Sequence, residues 1–276
     1  MATPRLDSFE LSGADGLPIR ADLRTGAKPG ERRPAVVILH GFKGFKDWGF
    51  FPGLADRLAR AGFSAWTFNF SGSGVSTGDS FDQPERWFRQ KPTADLEDVA
   101  TVVAEARRRG ASWVGLIGHS RGGGLAVLHA AADRSIGALV TWAAIDDFNR
   151  FSAEDVASWR REGKLDVRNQ RTGQVLAIGP GALADYDAHK DGALHVVSAA
   201  SRVTAPWLIV HGMRDLSVSV EAARRLAGAA GNTRVELLLL DGADHTFGIR
   251  HPWAGTTSEY DQVLENTAGF LMKHVS

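Results

Sequence analysis

Short apolar runs recur along this chain at intervals that a helix can fill, and no other feature narrows the fold as much. Ala35-Val-Val-Ile-Leu39 is apolar without interruption and ends at His40-Gly41. A strand with one wet face would alternate; an unbroken run reads as a strand buried on both faces of a parallel sheet. Phe63–Phe70, Trp113–Ile117, Ile136–Ile145, Pro206–Val210 and Arg234–Leu240 repeat the signal. Helical patterns lie between and after them. Pro52–Ala61 carries Leu54, Leu58 and Ala61 on one face, with Gly62 as its stop. Pro92–Arg109 does the same with Leu96, Val99, Val102, Val103 and Ala106. Gly122–Ala132 is a small-residue helix, and Val218–Ala230 and Ser258–Val275 complete the set. Leu6–Leu11 and Leu17–Leu23 read as two strands around the turn Ala14-Asp15-Gly16. Strands alternating with helices predict an α/β fold, its mostly parallel central sheet covered by helices on both faces.

One segment breaks the rhythm. From Asp146 to Ala200 the chain is more polar and lacks the βα alternation. Ser152–Arg161 reads as a short helix, and Leu165–Val167 pairs with Val175–Ile178 across Asn169–Gly173. A structureless loop of this length is improbable inside a domain. Residues 1–276 are therefore expected to form one domain, with 146–200 as a cap or insertion after the sixth core strand.

Gly118-His-Ser-Arg-Gly122 matches G-x-S-x-G, and its setting says more than the match. A buried strand runs into it and a small-residue helix leaves it, the arrangement a nucleophile elbow requires. Bulky residues at 118 and 122 would clash in so tight a turn. Ser120 then stands above the sheet beside the positive end of a helix.

A serine hydroxyl is a poor nucleophile without a base, and the base needs an orienting acid. His245 follows the last core strand in Asp241-Gly-Ala-Asp-His-Thr-Phe247, which makes it the best-placed of nine histidines. Asp215 follows the preceding strand in His211-Gly-Met-Arg-Asp215, so adjacent loops can bring the two together. Asp241, Asp244, Asp146 and Asp147 are rivals; the first two read better as turn formers. The acyl-transfer oxyanion needs amide donors. The Arg121 N–H follows the nucleophile, and the Phe42 N–H lies in the loop after Ala35–Leu39. Trp48, Trp87, Phe88, Phe148 and Trp159 fall in loops or the insertion and are candidates to line an apolar pocket. Ser71-Gly-Ser-Gly-Val-Ser76 lacks the Gly-Lys-Ser/Thr ending of a phosphate loop and reads as a structural turn.

Composition removes other classes. With no Cys there is no disulfide framework, thiolate metal site or cysteine nucleophile. The 32 Lys+Arg balance 32 Asp+Glu, so no basic field attracts nucleic acid. Apolar runs reach about ten residues, as in Ile136–Ile145, against the ~20 a membrane span needs. The polar start, Met1 to Glu10, lacks the apolar core of a secretory signal, so a cytoplasmic location is expected.

The order Ser120, Asp215, His245, together with His40-Gly-Phe42, Asn69–Gly78 and His211–Asp215, resembles the α/β-hydrolase superfamily from about Leu17 to Val275. Within it the chain looks most like bacterial serine esterases of the cinnamoyl/feruloyl-esterase and dienelactone-hydrolase-like group. That resemblance implies the α/β-hydrolase fold with a small cap insertion, and carries the oxyanion donors onto Phe42 and Arg121. Gln often follows the nucleophile in feruloyl esterases, where this chain has Arg121, and dienelactone hydrolases use a Cys that it lacks. The expected function is a serine carboxylic-ester hydrolase acting through an acyl-enzyme on small or medium esters, aromatic ones included. No cofactor or metal is expected, and the partner is a small-molecule ester. The alternatives are a peptidase or amidase on the same fold, and a non-catalytic binding protein of this fold.

Overall fold

The structure, a computed structural model, describes residues 3–28, 31–231 and 234–275. Met1 and Ala2 of the polar start, and Ser276, lie outside the described residues. The chain opens with an antiparallel pair, β1 (Arg5–Ser12) and β2 (Pro18–Thr25), joined by a single 3-10 turn at Ala14–Gly16. Then follow β3 (Ala35–Leu39), α1 (Phe51–Arg60), β4 (Ser64–Asn69), α2 (Pro84–Phe88), α3 (Pro92–Arg108), β5 (Val114–His119), α4 (Arg121–Ala132) and β6 (Ala138–Trp142). The interval before the next sheet strand holds α5 (Ala153–Glu162), β7 (Leu165–Arg168), β8 (Val175–Ile178), α6 (Pro180–His189) and α7 (Val196–Ala200). The chain ends with β9 (Trp207–Gly212), α8 (Val220–Ala229), β10 (Val235–Leu240) and α9 (Ser258–His274).

Eight strands form one sheet in the order β1-β2-β4-β3-β5-β6-β9-β10. β2 pairs antiparallel with β1 and β4, and every other pairing is parallel. The apolar runs explain this. β3, β5, β6 and β9 are buried along their whole length, because helices cover both faces. On one face Val99, Leu125, Val196 and Leu226 of α3, α4, α7 and α8 join the core. On the other, Leu54, Leu58, Val263 and Leu271 of α1 and α9 do. Two fully buried indoles are tied down at 3.0 Å: Trp142 Nε1–H donates to Thr267 Oγ1 and joins the sheet to α9, and Trp207 Nε1–H donates to Thr141 Oγ1 on the neighbouring strand. Each ring buries a large apolar surface while its polar tip is satisfied.

The stretch after β6 is structured as its residues suggest. Ser152 caps α5 and exchanges hydrogen bonds with Asp155, and Gly163 in the left-handed region ends the helix. β7 and β8 form an antiparallel hairpin. It is tied to the segment before α3, where Gly179 N–H donates to the Phe88 carbonyl at 2.8 Å and Arg171 pairs with Asp79 at 2.9 Å. Val156, Trp159, Leu176, Ile178 and Leu183 bury themselves against Phe45, Phe81 and Trp87 in a third apolar cluster. α7 behaves differently, packing on α4 and α8 within the helical layer of the sheet. No helix among the described residues is long and apolar enough to cross a membrane.

Candidate active site

β5 ends at His119 and α4 starts at Arg121, leaving Ser120 alone in the turn. Its backbone sits at φ 56°, ψ −118°, a conformation that costs a non-glycine residue about 1–3 kcal/mol. The surroundings hold it there. Ser120 N–H donates to the Trp142 carbonyl at 2.9 Å, and the Ser120 carbonyl accepts from Gly123, Gly124 and Ile145. The flanking glycines are obligatory: a Cβ on Gly118 would lie 2.3 Å from the Gly122 carbonyl oxygen, and one on Gly122 would lie 2.5 Å from the carbonyls of Leu39 and His40. The Ser120 hydroxyl does not cap the helix behind it. Among the described residues no hydrogen bond joins it to His245.

Asp215 and His245 come from the ends of β9 and β10, adjacent parallel strands. Their side chains meet, His245 Nδ1 lying 2.7 Å from Asp215 Oδ2. The other carboxylate oxygen accepts from Ser217 N–H and Val218 N–H, each at 2.8 Å. His211 is the partner that sequence spacing does not reveal. Its fully buried ring places Nε2 3.2 Å from Asp215 Oδ2 and 2.9 Å from the Val218 carbonyl. Two oxygens at one nitrogen require the proton on Nε2. Burial pushes the Asp215 carboxyl upward, but the bonds from His211 and His245 outweigh it and hold the group well below the ordinary carboxylate range. Asp215 is thus a fixed anion behind His245.

The rival carboxylates are engaged elsewhere. Asp244 accepts from Thr246 N–H and Gly248 N–H and shapes the loop that carries His245. Asp146 pairs with Arg225, Asp147 accepts from Tyr186, and Asp241 is exposed. His119 lies against the site, its ring centroid 4.8 Å from that of His245 and its Nε2–H donating to the His245 carbonyl at 2.9 Å. Burial, reinforced by the neighbouring His245, lowers its pKa to about 3, so it is neutral. His40 is likewise neutral, lowered to about 4 by burial, and its Nδ1–H donates to the Gly41 carbonyl.

The loop after β3 passes beside the elbow: a Cβ on Gly41 would lie 3.0 Å from Ser120 Cβ. Among the described residues the N–H groups of Phe42 and Arg121 donate no hydrogen bond. A cavity of about 280 Å3 opens between them and the insertion. Phe42, Ile145, Phe148, Phe151 and Trp159 supply its apolar wall. Among the described residues no group of three or more His, Asp or Glu side chains is placed to hold a metal ion.

The family model described as the alpha/beta hydrolase fold matches residues 34–178, more than half of the chain. The chain belongs to the α/β-hydrolase family. Among curated relatives, this α/β hydrolase is 26% identical over 219 residues to a 2,6-dihydropseudooxynicotine hydrolase from Paenarthrobacter nicotinovorans. That match covers 78% of the chain and 53% of the relative, so the chain spans about half the length of the curated relatives it matches. Among solved structures, Est1E from Butyrivibrio proteoclasticus with ferulic acid bound superposes with a TM-score of 0.71 at 21% identity, covering 96% of this chain and 98% of that one. The Pyrococcus horikoshii acylaminoacyl peptidase gives 0.72 at 19%, covering 100% of this chain and 42% of that one. Likenesses at these identities speak for the fold.

Of the five aromatic residues expected at the α/β hydrolase's pocket, Phe148 and Trp159 line this cavity. The other three do not line it, although Trp87 lines a smaller cavity beside Phe42 and Arg121. Trp87 is buried behind the wall, its ring 5.2 Å from Phe42. Trp48 packs on Phe50 and stacks on His251. Phe88 covers Gly179 from outside and is 37% exposed. Loop position alone does not say which side of a wall a ring occupies. Sequence reading also passed over Phe151 and Tyr186, which reach the cavity as the insertion packs back on α2 and α3. The Arg121 guanidinium bonds Asp95 at 2.5 Å and Gln90 at 3.1 Å beside the cavity. Burial pushes Asp95 up to about 6 even though Arg121 opposes it.

Proposed function

We propose that this α/β hydrolase is a serine carboxylic-ester hydrolase working through an acyl-enzyme. The observation that carries the reading is the 2.7 Å contact between His245 Nδ1 and Asp215 Oδ2, set beside a serine on a left-handed elbow. Nδ1 is occupied by the carboxylate, which leaves Nε2 as the basic nitrogen. Ser120 Oγ attacks the ester carbonyl while His245 Nε2 takes its proton. Asp215 holds the imidazole and stabilises its charged form. The free amides of Phe42 and Arg121 bind the oxyanion. His245 then protonates the leaving alcohol and activates water to release the acid. Serine–base contacts are often loose without substrate and tighten in the complex. The scheme calls for no metal or cofactor.

Esters of small or medium acids suit a cavity of about 280 Å3, and its aromatic wall favours aromatic acids. Ferulic acid in a protein of the same fold supports that preference. The likeness to an acylaminoacyl peptidase supports a second reading, hydrolysis of amides.

The test is hydrolysis of p-nitrophenyl acetate, butyrate and octanoate, methyl ferulate and an aminoacyl p-nitroanilide, each with a fluorophosphonate-treated control. Inhibitor-sensitive ester turnover is expected, and Ser120→Ala should lower kcat by about four powers of ten. Faster turnover of the anilide selects the amidase. A Ser120→Ala enzyme at wild-type rate overturns the mechanism. No turnover and no labelling selects a binding protein.

A further inference from the structure

We propose that the substrate of this site carries a carboxylate, read by Lys43 and Arg150 at the mouth of the cavity. The inference rests on the esterase reading and names its substrate class. Three cations line the cavity, Lys43, Arg121 and Arg150, and no Asp or Glu does. Arg121 is already neutralised by Asp95 at 2.5 Å. The other two have no carboxylate within ion-pair distance among the described residues. Lys43 Nζ donates to the Arg168 carbonyl at 3.1 Å, and Arg150 donates to the Ser217 carbonyl. Those neutral acceptors hold the cations in place, and the carboxylates of Asp215 and Asp146 act on Arg150 only from beyond ion-pair distance.

Retaining two such groups at one opening has a cost. Lys43 is half-buried and sits at φ 57°, a backbone conformation that disfavours any residue but glycine. Burial, and then the nearby charge of Arg150, lowers the Lys43 pKa. An incoming carboxylate relieves both effects, since it pairs with each cation inside a partly desolvated rim. The aromatic wall takes the rest of the molecule. Neutral esters gain nothing from this arrangement. Lys43 also lies one residue from Phe42, so the rim that reads the anion is continuous with the loop proposed to bind the oxyanion.

Matched ester pairs test this. Mono-p-nitrophenyl adipate against its methyl ester places the carboxylate on the acyl side. The 4-acetoxybenzoate ion against methyl 4-acetoxybenzoate places it on the alcohol side. In one pair the wild type should prefer the anion at least tenfold in kcat/KM. Lys43→Gln and Arg150→Gln should each cut that ratio at least fivefold, while Lys43→Arg and Arg150→Lys preserve it. A ratio at or below one in both pairs, with the neutral esters still turned over, overturns the proposal and leaves the esterase standing. A preference that neither Gln variant changes overturns the assignment to these residues. If no ester is turned over, calorimetric titration with adipate and with benzoate decides. Binding weakened tenfold by Arg150→Gln upholds the anion site without the esterase, and no binding overturns both.

Discussion

At position 120 a serine occupies a backbone conformation that glycine would adopt without strain, and the strain is held by four main-chain hydrogen bonds. The motif around it is legible because Gly118 and Gly122 are forced by contacts of 2.3–2.5 Å that any Cβ would make. Asp215 and His245 could be named from strand ends, because parallel neighbours deliver their loops to the same edge. His211 could not. Nothing in its spacing says that its ring turns toward Asp215 rather than into the core. The charge state of Asp215 yields a prediction at this scale. Its carboxyl is held below its ordinary value of 3.8, so its contribution to stability is complete above that pH and is lost as pH falls below it. Asp215→Asn removes that dependence. Denaturant midpoints measured from pH 3 to 7 should fall toward acid more steeply in the wild type than in the variant. On the esterase reading the same substitution lowers kcat by about four powers of ten, since an amide does not stabilise the imidazolium.

Elements were readable where a period ran long enough to show itself. The seventeen residues of α3 display a clear apolar face, and the predicted bounds differ from the observed ones by a residue. α2 passed unnoticed: five residues starting at Pro84 are too few for a 3.6-residue repeat to register. In the insertion the short helix expected over Ser152–Arg161 is α5, Ala153–Glu162, and its capping was not read from the sequence. Ser152 and Asp155 mark the start of α5, and the structure shows both halves of the reciprocal bond. Ser152→Ala should therefore loosen α5 by ~1 kcal/mol. The effect belongs to this element, so deuterium uptake should rise across 153–162 and stay unchanged in β3, β5 and β6.

Across the whole molecule, burial is uneven. Two cores sandwich the sheet, and the third cluster under the insertion is smaller and stands apart from them. Segments with fewer buried apolar contacts open at lower free energy than the core. Native-state hydrogen exchange should then show α5, β7, β8 and α6 opening before β3, β5, β6 and β9. Equal protection throughout would mean that the insertion is as firmly built as the sheet. Fold class was legible at this scale because buried parallel strands write themselves as unbroken apolar runs. The path of the insertion was not, because its residues obey contacts with Phe45, Phe81 and Trp87, which are distant in sequence.

The chain leaves the sheet at Trp142 and rejoins it at Trp207. Much of the cavity's roof is drawn from that interval, whereas Ser120, Asp215 and His245 all lie outside it. Heredity can therefore edit the two separately. A crossover that exchanges only the stretch from α5 to α6 delivers a new guest list to an unchanged set of strands, and it spares both the Ile145 bond that holds the elbow and the packing of α7 on α4 and α8. Lineages carrying this layout can explore new diets at little risk to the scaffold.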